Sequence, residues 1–179
     1  MRNLKKKALF GGAITAEFPE DFIDVSRLRQ VPDNQEVYLS RDLDVSIVLE
    51  TLERVPPSDS TEAATFHFDS IAQDNEALSS SIDEILTIPN DRGDKTPSVT
   101  ILRGRQGVKK FNRSSEDDVR IFLALYRVEE KGVDLVLSLN FPINLHDGVI
   151  RGEEQYMFAD QVFRSIATSL HIINFDLFA

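Results

Sequence analysis

The chain has 179 residues, 41% of them hydrophobic and 28% charged, a net charge of −10 and no cysteine. That size and composition suit one soluble domain over residues 1–179 with a continuous core. The missing thiols exclude disulfides, thiolate catalysis and cysteine-ligated zinc, and no stretch approaches the roughly 18 apolar residues of a membrane-spanning helix.

The charge is polarised along the chain. Between Glu17 and Asp91, 18 Asp and Glu stand against 4 Lys and Arg, a balance of −14. From Arg92 to Arg113, 7 basic residues oppose Asp94 alone, a balance of +6, and Arg2 with Lys5, Lys6 and Lys7 adds +4 at the amino end. An acidic surface repels nucleic acid and anionic membranes and steers basic protein partners, although solubility alone also accounts for an acidic excess.

Residues 1–7 read as a flexible basic tail. The run "ALFGGAITA" that follows lacks the dense aliphatic centre of a secretory signal and reads as a first strand, with Gly11 and Gly12 marking a bend or a close backbone approach. In "FIDVSRLRQVPDNQEVYLS", Phe22 to Ser40, Val31 and Val37 mark the ends of buried segments. Pro32, Asp33, Asn34, Gln35 and Glu36 between them form a polar turn, in which Pro32 presets φ for the second turn position and Asp33 or Asn34 tolerates the third. "DVSIVLETLE", Asp44 to Glu53, is β-branched enough for a strand, which Pro56 and Pro57 end. Asp59 followed by Glu62 is a capping-box-like start for a helix through Ala64, Phe68, Ile71 and Ala72. Ile82 to Ile88 reads as a strand and "NDRGDKTP", Asn90 to Pro97, as a loop. Val99 to Leu102 and Val108 to Phe111 read as two strands joined by "RGRQG" as a hairpin turn.

Alternation is clearest after that. "VRIFLALYRV" puts Val119, Ile121, Leu123 and Leu125 on one face and Phe122 and Tyr126 on the other. "VDLVLSLNF" puts Val133, Leu135, Leu137, Leu139 and Phe141 on one face, with Asp134, Ser138 and Asn140 opposite. Glu129 to Gly132 connects them as a long antiparallel hairpin whose second face is apolar enough to need a cover. Glu153 and Glu154 open a helix on which Ala159, Val162, Phe163, Ile166 and Leu170 recur every three or four residues. The tail "HIINFDLFA" carries enough apolar mass to dock. The sum is an α/β (α+β) domain, a mainly antiparallel sheet with helices outside it.

Chemistry is mostly absent. His67, His146 and His171 are far apart and in no metal-binding spacing, so no metal and no cofactor is expected. There is no Gly-x-Ser-x-Gly elbow and no phosphate loop, and a two-carboxylate hydrolase would need a defined separation that the sequence does not display. The chain is therefore read as a non-enzyme. The alternative function is nucleic-acid association through "RGRQGVKKFNR", where Arg103, Arg105, Lys109, Lys110 and Arg113 surround Phe111, against the acidic balance of the whole.

The segments "LFGGAIT", "FIDVS", "LRQVPDNQEVY" and the terminal "FDLFA" together resemble the Mog-type Ran guanine nucleotide release factors, a family of nuclear import proteins. The likeness is sharpest over Leu9 to Tyr38. It implies an antiparallel sheet between helices, shared with PsbP-like proteins. It also implies binding to the small GTPase Ran, release of its guanine nucleotide, and a nuclear location with some cytoplasmic. The family's acidic Ran-binding face carries over to Asp24, Arg29, Pro32, Asp33 and Glu36. A monomer that binds no nucleotide and no membrane is expected.

Overall fold

The computed structural model describes residues 3–109, 116–144 and 148–179. Its centre is a seven-stranded antiparallel sheet in the order β3 (Phe22–Asp24), β4 (Gln35–Ser40), β5 (Val45–Glu53), β9 (Val133–Pro142), β8 (Asp117–Val128), β7 (Val99–Val108) and β6 (Ser79–Ile88). A second sheet, which the hydrophobic pattern does not announce, has three strands: β1 (Leu4–Leu9), β2 (Ile14–Pro19) and β10 (His171–Ile172). Helix α1 (Ser60–Asp74) packs on β6, β7 and β8, and helix α2 (Glu153–Ser169) packs on β2, β8 and β9. The expected α+β architecture stands, with the small sheet packed on α2 through β2 and on β4, where the Phe18 ring meets that of Tyr38.

Alternation in β8 sorts the core into two faces. Phe122, Ala124 and Tyr126 join Leu135, Leu137, Leu139 and Phe141 of β9 and Phe163 and Ile166 of α2. Val119, Ile121, Leu123 and Leu125 instead meet Ala63, Ala64 and Phe68 of α1. Both faces of the β8–β9 hairpin are thus covered. The connection is tight because Gly132 takes a left-handed φ of 64°, which costs glycine nothing. The start of α1 also follows the expected chemistry: Asp59 accepts the Glu62 N–H at 3.2 Å.

Four local expectations fail. "ALFGGAITA" is not one strand but the end of β1, a turn and the start of β2: the bend expected at Gly11 and Gly12 is there, and Phe10, Gly11 and Gly12 take φ of 50°, 68° and 95° and reverse the chain. The amino end is correspondingly not a free tail from Leu4 onward, since Lys5, Lys6 and Lys7 pair with Phe18, Glu17 and Ala16. "RGRQG" is no hairpin turn, because β7 runs unbroken through it. Its glycines serve close approach: a Cβ on Gly104 would lie 2.7 Å from the Phe68 ring and 2.8 Å from the Ser81 carbonyl, and one on Gly107 would collide with Glu116 and Ser79. The partners are remote in sequence, so local pattern reads the glycines as a turn. β6 also begins three residues before Ile82, in exposed serines.

The docked tail is as expected. The Ile173 and Asn174 N–H groups donate to the Ala13 carbonyl at 2.8 and 3.1 Å, and Phe175, Leu177 and Phe178 pack against the core.

Candidate functional site

The polar stretch between β3 and β4 begins with Asp24, whose carboxylate accepts from the Ser26 N–H at 2.9 Å and from the Ser26 hydroxyl at 2.7 Å. It thereby caps a 3-10 turn over Val25–Arg27. Arg29 does not tether Asp24; its guanidinium donates to the Gln30 carbonyl at 3.3 Å. The β-turn itself is closed by the Gln35 N–H donating to the Pro32 carbonyl at 3.0 Å. Pro32 is therefore its first residue, not its second, and Asp33 and Asn34 occupy the centre. The reason lies on β5: Asn34 exchanges bonds with Thr51, accepting its N–H at 3.0 Å and donating its side-chain amide to its carbonyl at 3.2 Å. That ties Asn34 to the sheet and leaves Asp33 as the outward tip.

The five residues singled out from the sequence divide into two groups. Arg29, Pro32 and Asp33 are exposed; Asp24 and Glu36 are half-buried. Glu36 is not on the turn at all. It lies in β4, beside the buried Tyr38, on the side that the β1–β2 hairpin covers, and its carboxylate accepts the Phe10 N–H at 2.6 Å. Beneath it, Lys7 donates to the Phe22 carbonyl at 2.7 Å and stands 5.1 Å from the centre of the Tyr38 ring. The opposite alternation sends Gln35, also half-buried, to the other face of β4, where it donates to Glu50 at 3.2 Å. Glu50 is thus a carboxylate beside the turn that the local reading overlooked, although period-two alternation against the buried Leu49 would have found it.

Burial also sets the electrostatics around Glu36. Burial pushes the Glu36 carboxyl up, the Phe10 N–H opposes this, and the charge of Asp24 adds to the rise. Burial, Asp24 and Glu36 push the Tyr38 hydroxyl up to about 12, and burial lowers the Lys7 ammonium. A carboxyl with a raised folded pKa binds more protons folded than unfolded. Its favourable contribution is complete below the ordinary value of 4.5 and is lost as pH rises through the folded value. Thermal melts of the parent and Glu36→Gln should therefore diverge just above that pH, the parent losing more stability. Parallel curves would contradict this.

The basic stretch proposed for nucleic acid is largely neutralised where it is described. Arg103 pairs with Glu84 at 2.6 Å and with Asp160 at 2.7 Å, and Arg105 pairs with Asp83 at 3.3 Å. Cations held by the chain's own carboxylates are poor substitutes for condensed counterions on a phosphate backbone. Lys110, Phe111, Arg113 and His146 lie outside the described residues. His67 is bound to Asp134 at 2.8 Å and His171 lies 3.8 Å from Asp94, and no metal-binding cluster exists among the described residues. Nor is any described helix long and apolar enough to cross a membrane.

Residues 7–142 match the family described as Ran-interacting Mog1 protein. The chain is 31% identical to a Ran guanine nucleotide release factor of Danio rerio, over 96% of this chain and 98% of that one. It is 34% identical to the nuclear import protein mog1 of Schizosaccharomyces pombe, over 75% of each. The crystal structure of the Ran-binding protein Mog1p of Saccharomyces cerevisiae superposes with a TM-score of 0.80 at 27% identity, covering all of both chains. A cyanobacterial PsbP, at 13% identity and a TM-score of 0.62, shares the fold alone.

Proposed function

The chain belongs to the Ran-interacting Mog1 family, and on that premise we propose that it binds the small GTPase Ran and promotes release of its guanine nucleotide in support of nuclear protein import. The observation that carries the proposal is the likeness to a Ran guanine nucleotide release factor over 96% of the chain. The protein acts as a binding regulator and not as an enzyme, as a monomer, in the nucleus with a cytoplasmic share. It holds no nucleotide of its own.

Within this reading Asp33, with Pro32 and Arg29 beside it, is the contact surface, and Asp24 and Glu36 shape it from beneath. A GTPase holds its nucleotide with a phosphate loop, a lysine and Mg²⁺, all arranged for negative charge. An outward carboxylate is complementary to such basic surroundings. Close charge pairs across interfaces couple by about 1.5–7 kcal/mol, and about 1.4 kcal/mol is tenfold in affinity, so Asp33→Lys should weaken Ran binding at least about tenfold. Folding should barely change, because Asp33 is exposed at a turn tip. The experiment is release of a fluorescent guanine nucleotide from Ran with the parent and with Asp33→Lys, alongside a titration of the nucleotide against the chain alone. Unaccelerated release by the parent, or nucleotide binding by the chain itself, would refute the proposal.

A further inference from the structure

We infer that Glu36 is a positioning residue and that the turn it holds, Phe10 to Gly12, forms a second part of the partner-binding surface beside Asp33. This rests on the Ran-binding reading above and adds to it an element with no charged side chain.

The Glu36 carboxylate is already engaged. It accepts the Phe10 N–H at 2.6 Å and is half-buried beside Asp24, so meeting a partner's cation would mean surrendering that bond. What the bond holds is a backbone that would not hold itself. Three consecutive residues have positive φ, and one of them, Phe10, is not glycine. A left-handed phenylalanine is disfavoured and persists only where its surroundings fix it. Glu36 fixes it on one side. On the other, the Ala13 carbonyl accepts both Ile173 and Asn174 from the tail.

Between these two clamps the turn faces outward. A Cβ added at Gly11 or at Gly12 would meet nothing within 4 Å. Packing therefore does not require those glycines; the backbone conformation does, and with the Phe10 carbonyl taken by the Ala13 N–H at 3.3 Å it is the peptide groups of exposed Gly11 and half-buried Gly12 that the turn can offer. The turn is also in the right place. Glu36 is two residues beyond Asn34 on the strand that leaves the Asp33 turn, and its bond to Phe10 seats the hairpin turn at that same end of β4. The partner thus meets a carboxylate at Asp33 and hydrogen-bonding peptide groups at Gly11 and Gly12, with Glu36 joining the two from beneath through Phe10.

The test compares Glu36→Gln with Glu36→Ala, because the glutamine amide oxygen can still accept from Phe10 and the alanine cannot. Each variant is titrated against nucleotide-free Ran over a salt series, and amide exchange at Phe10, Gly11 and Gly12 is followed in the free protein. Glu36→Gln should bind within about twofold of the parent with the same salt dependence, while Glu36→Ala should lose about tenfold and exchange faster in the turn. An equal loss in both variants would make Glu36 a charge contact and overturn the inference while leaving Ran binding intact. Parent-like binding by Glu36→Ala would overturn it as well. Should Glu36→Ala fail to fold, Glu36→Gln decides alone: parent affinity with an unchanged salt slope supports positioning, and a tenfold loss refutes it. A parent that does not bind Ran would instead defeat the functional reading on which this depends.

Discussion

Phe163→Ala is expected to lower stability by about 3–5 kcal/mol, because it removes a large ring from a core that cannot close over the gap. Phe163 is 0% exposed and sits on the buried face of α2 with Ala159, Val162 and Ile166. Its ring centre lies 5.6 Å from that of Phe122 on β8, and Phe122 is stacked at 5.4 Å on Tyr156 from the first turns of the same helix. The ring therefore couples α2 to the middle of the large sheet. Urea denaturation monitored by circular dichroism measures the effect, and a change below roughly 0.5 kcal/mol would show that the helix does not bury this face.

Asp134→Ala should cost a similar amount, about 3–5 kcal/mol, since removing one partner of a buried ion pair leaves the other charge uncompensated. Asp134 is 0% exposed, on the face of β9 that α1 covers. It accepts from His67 at 2.8 Å, from Arg127 at 3.0 Å and from the Val55 N–H at 3.2 Å. Arg127 in turn donates to the Val55 carbonyl at 2.8 Å and to the Pro57 carbonyl, so the cluster also pins the proline segment that leads into α1. Burial pushes the Asp134 carboxyl up, but the His67, Val55 and Arg127 hydrogen bonds outweigh it and leave the pKa below its ordinary 3.8. The sign is opposite to that of Glu36: this stability is present above the ordinary value and is lost as pH falls through the folded one. Asp134→Ala should lose most near neutral pH and converge on the parent in acid. A deficit that stays constant into acid would contradict the ionic account.

The elements legible in the sequence are those whose partners are local or periodic. The β8–β9 hairpin and α2 announce themselves by alternation and by three-and-four spacing, and Asp59 marks the start of α1. The misreadings share one cause, which is distance along the chain. Gly104 is glycine because Phe68, far earlier, presses on it. Asp134 alternates like a solvent-facing residue, yet α1 covers that face and Arg127 answers its charge. Phe10 adopts a left-handed turn because Glu36 and the tail hold it, and nothing within "LFGGAIT" itself reveals that a non-glycine residue reverses there. At the candidate site the residue types were legible and the directions were not: Asp33 and Glu36 are three apart in one acidic stretch, but one is a turn tip and the other is a strand residue facing inward.

Release of nucleotide, as proposed, requires that this protein bind nucleotide-free Ran more tightly than loaded Ran. Two equilibria then share one coupling free energy, so the ratio of affinities for nucleotide-free and loaded Ran must equal the factor by which saturating protein weakens nucleotide binding. The measurement is a titration of both forms of Ran by calorimetry, with nucleotide affinity determined in parallel with and without the protein. Binding should be tighter to nucleotide-free Ran, by the same factor in both experiments, and Asp33→Lys should lose at least about tenfold in affinity. Equal affinity for the two forms of Ran would contradict the proposal, because a ligand that does not distinguish two states cannot shift the balance between them.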